Sequence, residues 1–126
     1  MDVIQITDLH ITKEGDLFGY DTYHRLSKAV NKIGTIIQNH KNPLLLVTGD
    51  ISQDGTIESY KKVFDLLKKL NCKIFWLHGN HDDLETLKLV SSNYQNMHEL
   101  NLITIRNWAF IKLDSVKTGS DIGYIK

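Results

Sequence analysis

The sequence predicts an α/β protein built on a mostly parallel sheet. Three observations carry that prediction. Short apolar runs rich in β-branched residues alternate with stretches of helical periodicity. Cap and turn residues separate the two kinds of segment. The order of the segments, β-α-β-α-β-α-β-β, makes the sheet mostly parallel with right-handed crossovers.

Val3-Ile4-Gln5-Ile6-Thr7 reads as a buried strand. Asp21-Thr22 offers cap chemistry for a first helix. Tyr23, Leu26, Ala29, Val30, Ile33, Ile36 and Ile37 recur at steps of three and four on its apolar face. Asn39 to Pro43, with the single proline of the chain, ends it. Leu44 to Val47 is a second strand. Asp54-Gly55-Thr56 caps a second helix, with Ile57, Tyr60, Val63, Phe64, Leu67 and Leu70 on one face. Lys61, Lys62, Lys68 and Lys69 are expected on its solvated side. Ile74 to Leu77 is a third strand, and a short helix is expected around Leu84 to Val90. Leu102 to Ile105 and Trp108 to Leu113, joined by Arg106-Asn107, look like two strands and a tight turn. The expected order is β-α-β-α-β-α-β-β. Trp76 and Trp108 are expected in the core, and Cys72 is read as a small core or edge residue.

Bulk properties narrow the function classes. The 126 residues suffice for one domain, 1–126. Fifteen basic side chains balance fifteen acidic ones, so net charge predicts neither nucleic acid nor a membrane surface as partner. One cysteine excludes an internal disulfide and a thiolate metal cluster. With a strand read from Val3, no leader is expected, and no run is long enough to span a bilayer. The expected compartment is the cytoplasm.

The chemistry-bearing residues stand at strand exits, where open α/β sheets place their sites. The first strand runs into Asp8-Leu9-His10, the second into Gly49-Asp50, the third into Gly79-Asn80-His81-Asp82. Carboxylate, carboxamide and imidazole donors without thiolate suit manganese, iron or zinc. Asp8 and His10 alternate with Leu9, so both point one way if the extended chain continues. Gly49 and Gly79 allow close backbone approach.

These three motifs, in this order, resemble the first three motifs of the calcineurin-like metallophosphoesterases. Val47-Thr48-Gly49-Asp50-Ile51-Ser52-Gln53-Asp54-Gly55, Leu113-Asp114-Ser115 and Tyr20-Asp21-Thr22 look like the bacterial class III cyclic-AMP phosphodiesterase branch. The resemblance runs from Met1 to about Tyr124. It implies the N-terminal half of a four-layer αββα sandwich. It also implies two divalent or trivalent metal ions, iron or manganese with zinc as an option, and a phosphodiester substrate such as cyclic AMP. Asp8 and His10 would bind the first metal, Asp50 would bridge both, and Asn80 would bind the second and contact phosphate. His81 would face the phosphate as the catalytic histidine, oriented by Asp82. Two metals about 3.5–4 Å apart can clamp a phosphate and activate water for in-line attack.

The family's later motifs, an isolated histidine and a Gly-His-X-His element, do not occur in these 126 residues. His24, His40, His78 and His98 lack that spacing, and His78 stands where the family usually has proline. The expectation is therefore a truncated, split or domain-length version of a longer enzyme. Its first sheet would be left exposed and open to self-association. The competing reading is a catalytically incomplete fragment that binds one metal or a phosphate, or pairs with a partner chain. A receiver-like signalling domain fits Asp8-Leu9-His10 and Asn80-His81 poorly. Asp114 reads first as a turn residue and only second as a substrate residue. Gly119 and Gly123 read as turn glycines.

Overall fold

A computed structural model describes residues 2–117 and 119–125; the domain ends at Met1 and Lys126 lie outside the described residues. The elements are β1 (Val3–Ile6), α1 (Thr22–Ile37), β2 (Leu44–Thr48), α2 (Ile57–Leu67), β3 (Lys73–Leu77), α3 (Leu84–Ser91), β4 (Met97–Glu99), β5 (Leu102–Ile105) and β6 (Trp108–Ile111). β1 to β4 form one parallel sheet in sequential order, and β5 and β6 pair as a separate antiparallel hairpin. The fold is α/β with a mostly parallel sheet, as the alternation predicts.

One strand lies beyond the sequence reading. β4 pairs Met97 to Ile74 and Glu99 to Trp76 at the sheet edge. It has three residues, too few to display a period.

Each helix starts where its cap chemistry places it. Asp21 accepts from the His24 nitrogen at 2.7 Å, Thr56 from that of Ser59 at 3.2 Å, and Asp83 from that of Thr86 at 2.8 Å. Parallel neighbours joined by right-handed crossovers put all three helices on one face of the sheet. Leu26, Val30 and Ile33 of α1, Val63, Phe64 and Leu67 of α2 and Leu87 of α3 share one core with Leu45, Val47, Ile74 and Trp76 of the strands. Each such side chain contributes about 1.5–3 kcal/mol, so the helical face carries the fold. The predicted α1 face is narrower in fact: Tyr23 and Ile36 are exposed, because one stripe suffices to meet α2 and the sheet.

The opposite sheet face is polar in part and half-exposed. Gln5 donates to the Thr48 hydroxyl at 2.8 Å, and Phe75 lies against His98 with ring centroids 5.4 Å apart. The hairpin's alternation leaves Ile103, Ile105 and Phe110 half-buried and Leu102 and Ile111 exposed.

Two further expectations are corrected. Trp108 is 64% exposed, stacked on Phe110 at the hairpin and outside the core that encloses Trp76. Lys62 is half-buried. Its ammonium donates to the carbonyls of Thr12 and Lys13 and lies 6.0 Å over the Tyr23 ring, so it clamps the loop after β1 to α2. Lys61, Lys68 and Lys69 are solvated as expected.

Asp54 makes the other tie between that loop and α2. Its carboxylate accepts from the Lys13 nitrogen at 2.8 Å, the Thr56 hydroxyl at 2.8 Å and the Thr56 nitrogen at 3.2 Å. Partial burial pushes its pKa up, but these bonds together outweigh that and hold it at about 2, against 3.8 for a free side chain. A depressed folded pKa gives stability that is complete above 3.8 and lost as pH falls through about 2. Because Asp54 is largely solvent-exposed, the contribution is on the order of 1 kcal/mol. Urea unfolding of the wild type is expected to weaken between pH 4 and pH 2 by about that amount. Asp54→Asn should be weaker at neutral pH and flatter across the same interval.

Candidate metal centre

The parallel ladder does not stop where the strands stop. Beyond β1 and β2 the nitrogens of Asp8, His10 and Ile11 donate to the carbonyls of Gly49, Asp50 and Ile51 at 3.2, 2.9 and 3.2 Å. The Gly49 nitrogen donates to the Leu77 carbonyl at 3.0 Å, which carries the register on to β3. The three strand exits are thereby held side by side.

Their backbone is strained where the polar side chains leave it. Asp8, His10 and Asp50 all have positive φ, at 54°, 46° and 46°. Non-glycine residues rarely adopt this region, at a cost of about 1–3 kcal/mol each. The extended continuation expected for Asp8-Leu9-His10 is therefore corrected: a left-handed turn at both residues, not strand alternation, brings their side chains together.

The resulting cluster is tight. His10 Nε2 lies 3.7 Å from Asp50 Oδ2 and 3.8 Å from Asp8 Oδ1. The His81 ring meets the His10 ring edge-on, with centroids 5.2 Å apart. The His81 backbone nitrogen donates to Asp50 Oδ1 at 3.1 Å. One donor atom from each of His10, Asp50 and His81 lies within 4.8 Å of the others. Ligands around one ion at about 2.0–2.2 Å are separated by comparable distances, so His10 and Asp50 can share a metal, with the His81 ring at its edge.

Gln53 sits between the two imidazoles. Its Oε1 is 2.8 Å from His10 Nδ1 and its Nε2 is 3.2 Å from His81 Nδ1. If Oε1 accepts from His10 Nδ1–H, His10 Nε2 keeps a lone pair toward Asp8 and Asp50, the tautomer a metal ligand needs. The Gln53 amide then donates to His81 Nδ1 and leaves the His81 proton on Nε2, so in this tautomer His81 borders the ion rather than ligating it. In the sequence, Gln53 is one residue of the motif around Asp50 and carries no role of its own. Its position three residues after Asp50 was a signal available only once the loop's path was known.

Asp82 is the second correction. Its oxygens meet backbone nitrogens and the Tyr60 hydroxyl, not the His81 ring. Its half-buried carboxylate accepts from the nitrogens of Gly79 at 2.8 Å, Ser52 at 2.8 Å and Ile51 at 3.1 Å, and from the Tyr60 hydroxyl at 3.1 Å. The Tyr60 oxygen in turn accepts from the Asp83 nitrogen at 2.8 Å. Burial pushes the Asp82 carboxyl up, and the three N–H bonds oppose that. Burial and the Asp82 charge push the Tyr60 phenol up. Asp82 thus ties the Asp50 loop to the loop of Asn80 and His81. Tyr60, read from sequence only as an apolar-face residue, anchors that tie.

Asn80 donates from Nδ2 to Asp121 Oδ1 at 3.3 Å. The remaining histidines lie elsewhere. His40 pairs with Asp2 at 2.8 Å, His24 sits in α1 and His98 packs on Phe75. The His78 ring is largely buried beside Asp114; burial first, then the nearby Lys112 charge, push its imidazole down.

A parallel sheet with strained, metal-fitting strand exits defines a class, and comparison with known proteins names it. The chain belongs to the calcineurin-like phosphoesterase family, whose profile matches residues 1–125. Membership implies divalent metal ions, in keeping with the His10, Asp50 and His81 group.

Within the family it is similar to 3',5'-cyclic adenosine monophosphate phosphodiesterase CpdA of Pseudomonas aeruginosa. The two are 31% identical over 126 residues, covering 98% of this chain and 45% of the relative. A probable cyclic nucleotide phosphodiesterase of Coxiella burnetii is 32% identical over 98% of this chain and 48% of its own. One from Ruthia magnifica is 32% identical over 97% and 49%. The chain spans about half the length of the curated relatives it matches. Among the described residues no helix is long and apolar enough to cross a membrane.

Gly79 is where the loops have least room. A Cβ there would overlap the Asp50 carboxylate and backbone nitrogen. Gly79→Ala is expected to lose about 1–3 kcal/mol in urea unfolding, as overpacked sites do. Unchanged stability would show slack between the Asp50 and His81 loops.

Proposed function

We infer that this chain supplies the metal-binding front of a phosphodiesterase acting on 3',5'-cyclic nucleotides, cyclic AMP in particular. The convergence of His10, Asp50 and His81 around Gln53 carries the reading. The names of its relatives support the substrate class.

Asp8 and His10 would hold a first metal ion, and Asn80 a second. Asp50 would bridge them, since its two oxygens already face different neighbours: Oδ2 toward His10 and Oδ1 toward the His81 nitrogen. Divalent ions held there supply Lewis-acid charge to the phosphoryl oxygens and activate water, with manganese, iron and zinc all compatible with the donors. Gln53 fixes the His10 lone pair and keeps a proton on His81 Nε2. Asn80 and His81 would contact the phosphate. His81 would donate its proton to the departing sugar oxygen, a contribution of about 10²–10⁴-fold.

A second reading has its own support. Asp50 and Asn80 are a thin donor set for a second ion, and the Asn80 amide is engaged by Asp121. On that reading the chain binds one metal or a phosphate without turnover, or acts with a partner chain. The same experiment separates the two. With manganese added, the chain should hydrolyse bis(p-nitrophenyl) phosphate and convert cyclic AMP to 5'-AMP. Asp50→Ala should abolish both, and His81→Ala should cost about 10²–10⁴-fold. No turnover by a folded, metal-loaded wild type would favour the binding-only reading. Turnover surviving both substitutions would refute the site.

A further inference from the structure

A cleft of about 330 Å³ opens beside the metal centre and shares Gly49, Gly79 and Asn80 with it. Its inner wall is the exit of β3, including Leu77 and His78. Its outer wall is the segment after β6, which carries Asp114, Ser115, Val116, Ser120 and Asp121. That volume is within the range of small-molecule sites, about 300–1,000 Å³.

The outer wall is folded back on itself. The Tyr124 nitrogen donates to the Ser115 carbonyl at 2.8 Å, and the Val116 nitrogen to Asp114 Oδ1 at 3.1 Å. Gly123 permits the close pass, since a Cβ there would stand 3.2 Å from the Ser115 oxygen. Asp114 is thus a turn residue, as its sequence suggested, but the turn holds its carboxylate at the cleft.

The inner wall holds an unexplained polar group. The His78 side chain is only 7% exposed, and its Nε2 lies 3.8 Å from Asp114 Oδ1. Its Nδ1 is buried without a partner among the described residues. Buried polar atoms in native proteins are nearly always paired, and an exception at a cavity wall calls for an account.

The charges say which kind of ligand fits. Asp114, Asp121 and Lys117 line the cleft and leave it net negative, while Lys112, also on its wall, is tied to Glu99 at 3.0 Å. Two carboxylates there repel a phosphate and favour hydroxyl and amino donors. Leu77, Leu113 and Val116 supply apolar surface beside them. A flat apolar ring with donor groups at its edge, joined to a sugar, has that chemistry.

We propose that this cleft is the subsite for the nucleoside part of the substrate, with Asp114 accepting from a sugar hydroxyl or base amino group and His78 forming the polar wall against it. This rests on the phosphodiesterase reading for the phosphate end alone. The nucleoside end can be tested without metal or turnover.

The probe is adenosine, which carries no phosphate, titrated into the ¹⁵N-labelled chain without metal. The amides of His78, Asp114, Ser115, Val116 and Gly123 should shift together, and inorganic phosphate should leave them in place. Asp114→Ala, at an exposed turn position, should weaken adenosine binding about tenfold, the worth of one hydrogen bond to a charged group. His78→Phe, which keeps a ring in the wall, should also weaken it. Absence of binding, or binding unchanged in Asp114→Ala, overturns the assignment. Adenosine bound by a chain that hydrolyses no phosphodiester would refute the phosphodiesterase reading and leave the subsite standing.

Discussion

The half-buried carboxylate of Asp82 accepts from the backbone nitrogens of Ile51, Ser52 and Gly79, and those bonds join loops that leave two different strands. A carboxylate pulled from water into that position is stable only while its oxygens are met, so the bonds are an all-or-none constraint on the loops. The Tyr60 hydroxyl completes the set from α2 and passes the constraint to the start of α3 through the Asp83 nitrogen. Asp50 and His81 can therefore approach only in the arrangement that Asp82 permits.

What this arrangement holds is strain. Asp8, His10 and Asp50 sit at positive φ, which would relax to ordinary backbone if the loops were free. The ladder of backbone bonds beyond β1 and β2 opposes that relaxation on one side, and Asp82 opposes it on the other. Lys62 and Asp54 add restraint by fastening the loop after His10 to α2. The stability of the helix-covered sheet face thus offsets the cost of aiming the polar side chains into one cluster.

Much of the fold was legible in the sequence because its signals are local. Asp21 and Thr56 announce the first two helices by their own side chains, and the β-branched runs at Val3 and Leu44 announce strands. β4 was not legible, because Met97-His98-Glu99 becomes a strand only through pairing to β3. Trp108 was misplaced for the same reason: its burial depends on which face of the hairpin meets the sheet. In the site, Asp8, His10, Asp50, Asn80 and His81 stood out because polar residues follow apolar runs. The structure gathers His10, Asp50 and His81 most closely, with Asp8 beside His10 and Asn80 turned toward Asp121. The roles of Gln53, Asp82 and Tyr60 were hidden, since each acts on groups distant in sequence, and the Asp82 partners are mostly backbone.

If the loops form the metal centre only because Asp82 holds them, metal affinity must depend on a residue that is not itself a ligand. The direct measurement is a calorimetric titration of Mn²⁺ into the wild-type chain and into Asp82→Asn, with helical content checked by circular dichroism. An asparagine cannot accept through both oxygens, so at least one tie is lost. The account predicts that affinity falls by about 10–100-fold in a still-folded variant. Equal affinity in the two chains would contradict it.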